Sequence, residues 1–177
     1  MNPVDFSHCL KQHQDRVFSF CVHMLGDKAE AADMTQDVFI KLWEHEMKMD
    51  QDRVLGWLLK VARNGCIDLI RKRKVRKSVK ESEEFSLDSL SSDEILPDRV
   101  ASNVLFDEKL KRALDSMGEP HKSIVVLREV QDYKYEEISD LLNLPLNTVK
   151  VYLHRARKML RIALGNEMME GSHHDYV

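Results

Sequence analysis

The sequence predicts an all-α protein: two small helical domains joined by a flexible acidic linker, with a helix-turn-helix in the C-terminal one. Three observations carry this. Apolar residues recur at helical spacing over most of the chain, while only 6 Gly, 4 Pro and few alternating Val/Thr runs speak for sheet. Two such helical stretches flank a Ser-rich acidic one, residues 78–103, that holds Pro97 and keeps no sustained apolar period. Late in the chain a short amphipathic segment, a breaker and a longer amphipathic segment follow one another. At 177 residues and 43% apolar content, the chain suffices for one ordinary domain or two small ones.

The elements follow in order. Phe6, Leu10, Val17, Cys21 and Met24 form one stripe of a first helix that stops at Gly26. Asp27 is placed to cap a second helix over about 28–46, with Glu30 at the capping-box position. Ala31, Met34, Val38 and Leu42 make its inner stripe, widened by Phe39 and Trp43. Asp33, Gln36, Asp37 and Ile40 project on the other side. An exposed isoleucine among carboxylates is either an ordinary surface residue or a docking surface for a basic protein.

A third helix is predicted over about 53–77. Val54, Leu58, Ala62, Cys66 and Leu69 share its apolar half, and Lys60, Arg63, Asn64, Arg71 and Lys74 lie within about a third of the circumference opposite. It ends in RKRKVRK, six cations in seven residues. A solvated helix would alternate charge sign, and only Asp68 interrupts this one. Such a stripe suits a phosphate backbone, with Asn64 able to meet a base edge.

Beyond the linker, Phe106, Leu110, Leu114 and Met117 keep helical register, and Pro120 suits the start of a helix through about Val130. Tyr135–Leu142 is a short helix with Ile138 and Leu141 inward, broken at Asn143-Leu144-Pro145. The following helix runs to about Leu164 with Val149, Leu153, Ala156 and Leu160 inward. Its outer face carries Asn147, Thr148, Lys150, Val151, His154, Arg155 and Lys158. Cations, an amide and an aliphatic group are the chemistry that reads the major groove.

The net charge of −3 hides this segregation. Residues 1–77 sum to +3, residues 78–107 to −6, and residues 108–177 to zero. Two basic helical faces in two separate segments point to a polyanion. Other classes are excluded. Cys9, Cys21 and Cys66 are odd in number and lack zinc spacing, so neither a disulfide framework nor a metal site is expected, and a reducing cytoplasm is. No apolar run reaches the ~18 residues of a membrane helix, and the N-terminus carries no signal pattern. No nucleophile, base and orienting acid come together in the pattern, so the chain is not expected to be an enzyme and needs no cofactor.

These motifs resemble the extracytoplasmic-function sigma factors, the small sigma-70-type initiation factors of bacterial RNA polymerase. DKAEAADMTQDVFIKLWEH looks like the family's region 2 motif, WLLKVARNGCIDLIRKRKV like the segment that follows it, and EEISDLLNLPLNTVKVYLHRARKMLR like the region 4 helix-turn-helix. The resemblance covers nearly the whole chain and implies a non-enzymatic cytoplasmic factor that binds core RNA polymerase and directs it to promoter DNA. Residues 1–77 would be region 2, 78–103 the linker, 104–170 region 4 and 171–177 a disordered tail. Asp33, Gln36, Asp37 and Ile40 would meet the clamp helices of the largest polymerase subunit. Lys60, Arg63, Asn64, Arg71 and Lys74 would engage the −10 element as it melts, and the loop 47–53 would capture a flipped base. Asn147, Thr148, Lys150, Val151, His154, Arg155 and Lys158 would read the −35 element, the domain around them docking on the polymerase flap. Membership also implies an anti-sigma factor as inhibitor. The chain departs from the family pattern at Ser139 (usually Ala), Asn143 (usually Gly) and Val151-Tyr152 (frequently Ser-Arg). The rival function is a stand-alone helix-turn-helix regulator, which would have no use for the cationic stripe of the third helix.

Overall fold

The computed structural model describes residues 6–44, 51–83 and 108–165, and among these the chain forms helices without a strand. Helix α1 spans Phe6–Leu25 and closes at Gly26, whose φ of +67° lies in the left-handed region that favours glycine. The Gly26 amide donates to the Val22 carbonyl at 2.8 Å. Helix α2, Lys28–Glu44, opens on the predicted cap: Asp27 Oδ1 accepts the Glu30 amide at 2.9 Å. The other half of the capping box is not made. The Glu30 carboxylate instead accepts Arg73 Nε of the third helix at 3.2 Å. Arg73 also donates to the Leu25 carbonyl at 3.1 Å, satisfying an orphan acceptor at the end of α1.

Helix α3 runs from Gln51 to Glu83, past the point where the linker was expected to begin. The physical reason is local. Residues 78–83, SVKESE, include Lys and Glu, which are good helix formers, and contain no Gly or Pro to stop the helix. Val17, Phe20 and Met24 of α1, Val38 and Leu42 of α2, and Leu58 and Ala62 of α3 are almost wholly buried and form the core of this bundle. Truncating one of them, such as Leu58, to Ala is expected to cost ~2–5 kcal/mol. Trp43 departs from expectation. The sequence places it on the inner stripe with Phe39, but Phe39 is buried and Trp43 is 66% exposed. At ~100° per residue, position 43 overshoots the stripe centred on 31, 38 and 42, and its ring stays on the rim.

The second bundle comprises α4 (residues 108–116), α5 (His121–Glu129), α6 (Tyr135–Leu142) and α7 (Leu146–Leu164). Inward residues Ile138, Val149, Leu153, Ala156 and Leu160 are buried as the spacing requires. Asn143 takes the left-handed conformation, φ +54°, that the turn between α6 and α7 needs. The Leu144 amide donates to the Ser139 carbonyl at 3.0 Å, and the Ser139 hydroxyl donates to the Leu144 carbonyl at 2.5 Å. Ser139 thus ties the turn in a way the more usual alanine cannot.

Helix α5 is enclosed: Lys122, Ser123, Ile124, Val125, Val126 and Leu127 are all buried in succession. A helix buried all round needs neighbours on both sides. Here α7 covers one side and α1 of the first bundle the other. The two bundles therefore touch, which the tether expected from sequence did not foretell. Residues 45–50, 84–107 and 166–177 lie outside the described residues. With them go most of the 47–53 loop, the acidic linker beyond Glu83 and the tail.

Candidate nucleic-acid interface

Three surfaces gather the residues singled out from sequence. On α2, Asp33, Gln36, Asp37 and Ile40 are all exposed, and Ile40 is 54% so. Beside them lies a groove of about 520 Å³ between α1 and α2, lined by Phe6, Leu10, Gln36, Phe39, Ile40 and Trp43. Trp43 stands edge-on to Phe6, ring centroids 5.2 Å apart. On the other flank a second groove, toward α3, holds Asp33 and Asp37 with Lys41, Asp68 and Lys72. An apolar hollow and a charged one thus border the same outward helix face.

On α3, Lys60, Asn64, Arg71 and Lys74 are exposed. Arg71 lies 3.6 Å from Asp68 with both side chains largely in solvent, a pairing worth little. Arg63 differs from the rest. It is half-buried: its Nε donates to Ser123 Oγ at 2.8 Å and its Nη2 to Glu119 Oε2 at 3.0 Å, both partners in the second bundle. Arg73, in the middle of the basic run, is occupied by Glu30 and Leu25 and serves the fold. The stripe is therefore real as a surface but interrupted by structural duty at Arg63 and Arg73.

On α7, Asn147, Lys150, Val151, His154, Arg155 and Lys158 are exposed and Thr148 is half-buried, on the side opposite Val149, Leu153, Ala156 and Leu160. The helix is fixed by two contacts that sequence did not disclose. Arg157 Nη2 pairs with Glu129 Oε1 at 2.7 Å, and the Tyr152 ring leans on His121 with centroids 4.8 Å apart. Arg128 Nη1 donates to the Tyr133 carbonyl at 3.1 Å and its guanidinium lies over the Tyr135 ring, bracing the start of α6. The presented face is thus a rigid row of donors with one aliphatic group, the composition of a groove-reading helix.

The three cysteines are buried and free. Burial raises the Cys9 thiol, and the hydrogen bond that Cys66 donates to Cys21, together with burial, pushes Cys66 far up while holding Cys21 below the usual thiol range, so Cys9 and Cys66 are not thiolate nucleophiles at neutral pH. Among the described residues no group of three or more His, Cys, Asp or Glu side chains is placed to hold a metal, and no helix is long and apolar enough to cross a membrane.

Known proteins with these features bear on the site. The sigma-70 region 2 model matches residues 9–76 and the sigma-70 region 4 model residues 107–160, together more than half of the chain. The ECF RNA polymerase sigma factor SigW of Bacillus subtilis (strain 168) is 28% identical over 162 residues, 88% of this chain and 87% of the relative. The ECF RNA polymerase sigma factor SigE of Mycolicibacterium smegmatis is 28% identical over 161 residues, 91% of this chain and 62% of that longer protein. In fold the chain is similar to the sigma factor RpoE solved in complex with the anti-sigma factor NepR from Bartonella quintana. That match has a TM-score of 0.65 at 22% identity and covers 90% of this chain and 96% of the other. CnrH, solved in complex with the cytosolic domain of CnrY, has the same TM-score at 19% identity over 92% and 88% of the two chains.

Proposed function

This chain belongs to the sigma-70 family, in its extracytoplasmic-function group, and is a promoter-directing transcription initiation factor; on that footing we propose that three of its surfaces divide the work. Residues 1–77 act as region 2 and 104–170 as region 4. Asp33, Gln36, Asp37 and Ile40, with the adjoining Trp43 groove, meet the clamp helices of core RNA polymerase. Carboxylates around an apolar hollow suit a basic helix with an apolar anchor, which buries its side chain while its cations find partners.

Lys60, Arg63, Asn64, Arg71 and Lys74 track the −10 element. Cations hold the phosphates of the melting strand, and the Asn64 amide can bond a base edge once the pair is open. On α7, Asn147, Thr148, Lys150, Val151, His154, Arg155 and Lys158 read the −35 element in the major groove. The outward row on α7 is the observation that carries this reading: six exposed side chains of groove-reading chemistry on one face of the second helix of a helix-turn-helix. The chain is a cytoplasmic, non-catalytic factor. An anti-sigma factor is its proposed inhibitor, in keeping with the two similar folds solved with anti-sigma partners.

Run-off transcription over a small promoter library tests the division of work, using core polymerase with and without the chain. Transcripts that depend on the chain and start downstream of a shared two-element motif are expected. Absence of binding to core polymerase would overturn it.

A further inference from the structure

Arg73 stands in the middle of RKRKVRK, yet it points away from the cationic stripe of α3. At ~100° per residue it lies roughly 140–180° around the helix from Lys60, Asn64 and Arg71. It continues instead the line of Ala62, Cys66 and Leu69, at the next position of their 4–3 spacing. Ala62 and Cys66 are wholly buried and Leu69 packs against the core. Arg73 thus takes a core position at the level where the core ends. Among the described side chains it is the last of α3 that is not exposed, and Lys74, Val75 and Arg76 beyond it all are. What it meets is the corner between α1 and α2. Its Nη1 donates to the Leu25 carbonyl at 3.1 Å, at the negative end of the α1 dipole. Its Nε donates to Glu30 Oε1 at 3.2 Å, and its Nη2 pairs with Glu30 Oε2. All three guanidinium nitrogens have partners on other helices.

From this we infer that Arg73 is a positioning residue for engagement of the −10 strand: clasped to Glu30 and Leu25, it fixes the rotation of the basic end of α3 so that Arg71 and Lys74 face the DNA, and it touches no DNA itself. The inference rests on the reading of α3 as the −10 surface. With Arg73 turned inward, helix geometry alone turns Arg71 and Lys74 outward, within about 60° of each other. Their side chains are exposed there, in line with Lys60 and Asn64.

The chemistry of the clasp suits this role. Six cations in seven residues repel one another along the helix, so the end of α3 needs an anchor if its stripe is to face one way. An aliphatic side chain at position 73 would leave the Leu25 carbonyl and the Glu30 carboxylate without this donor. A lysine there is a point charge, whereas the planar guanidinium fork reaches both acceptors at once. Holding Arg71 and Lys74 in one orientation before the strand arrives reduces the ordering that binding requires. Arg73 could bind a phosphate only by surrendering its bonds to both helices, and Glu30 holds it against that exchange.

The test uses holoenzyme formed with saturating full chain. Its probe is a fluorescein-labelled promoter fragment from the run-off library, duplex at −35 and single-stranded at −10. Arg73→Ala and Glu30→Ala should each bind the probe about three- to tenfold more weakly, the effect of leaving one or two long side chains to be ordered on binding. The double variant should bind no more weakly than either single one, because the two residues act as a unit. The slope of log affinity against log salt should stay at the wild-type value in all three. Arg71→Ala, which removes a phosphate contact, should instead reduce that slope by ~0.7. Affinity of Arg73→Ala for core polymerase, read through the α2 face of the same bundle, should match wild type. A slope reduced by Arg73→Ala, with binding unchanged or tightened by Glu30→Ala, would make Arg73 itself a phosphate ligand and overturn the inference. Wild-type probe binding by both variants, or a parallel loss of core binding by Arg73→Ala, would leave the clasp a role in the fold alone and overturn it too. If Arg71→Ala has no effect, or no promoter in the library depends on the chain, the −10 reading of α3 falls first and the inference with it.

Discussion

Trp43 lies edge-on to Phe6 at 5.2 Å and yet remains 66% exposed, so the pair forms the wall of an open groove rather than part of the core. A large aromatic kept at a rim is supported on one side and available on the other. That is the usual situation of an interface anchor. Trp43→Ala is therefore expected to cost ~2 kcal/mol or more in binding to core polymerase, roughly thirtyfold in affinity. Its stability cost should be only the ~0.5–1.5 kcal/mol of a lost aromatic pair. Titration against core polymerase and a thermal melt check both halves.

Asp37→Arg separates charge from packing on the same surface. Asp37 is exposed beside a groove that also holds Asp33, Lys41 and Lys72. Reversing its sign should weaken polymerase binding by about tenfold or more through like-charge repulsion with a basic partner helix. Stability should stay within ~0.5 kcal/mol, as for most exposed substitutions. A matched loss of melting temperature would place Asp37 in the fold instead.

Legibility in the sequence followed the physics of each feature. Helix periodicity is a local signal, so Val149, Leu153, Ala156 and Leu160 were readable as one buried stripe, and the Asn143 turn as a break. The cap at Asp27 was likewise local. What escaped was whatever depended on a partner distant in sequence. Glu30 sits three residues after a cap, as a capping box requires, but Arg73, 43 residues on, takes its carboxylate. Arg63 read as one cation of a stripe, and nothing within several turns of it discloses Glu119, 56 residues away. Trp43 is hard to place from sequence because its aromatic size suggests burial while its angle on the helix puts it at the rim.

The buried His13 makes folding sensitive to mild acid. It is 9% exposed, and burial holds its pKa below the usual 6.5, with the charges of Arg16 and His8 acting in the same direction. In the unfolded chain His13 takes up its proton near pH 6.5, whereas the folded chain resists it. As pH falls through that window the unfolded state binds more protons, so stability is lost between pH ~6.5 and the lowered folded pKa, and is fully present above it. Melting temperature measured from pH 7.5 to 5 should fall in wild type. His13→Gln, similar in size and without the titration, should flatten that part of the fall.

On α7, the exposed Arg155 and Lys150 should fail in different ways when truncated. A guanidinium that reaches a guanine edge bidentately contributes both affinity and discrimination, so Arg155→Ala is expected to cost ~1–3 kcal/mol on the preferred −35 sequence and to relax base choice at one position. Lys150, a point charge near the start of the helix, is proposed to hold a phosphate flanking the −35 bases that its neighbours read. Lys150→Ala should therefore weaken all sequences about equally and reduce the salt dependence of binding by a slope of ~1. The Arg157–Glu129 pair at 2.7 Å holds the helix in place in both variants, so their melts should match wild type. Holoenzyme binding to a set of −35 variants at two salt concentrations distinguishes the roles. If Arg155→Ala lost affinity uniformly and Lys150→Ala lost it at one base, the two assignments would be exchanged.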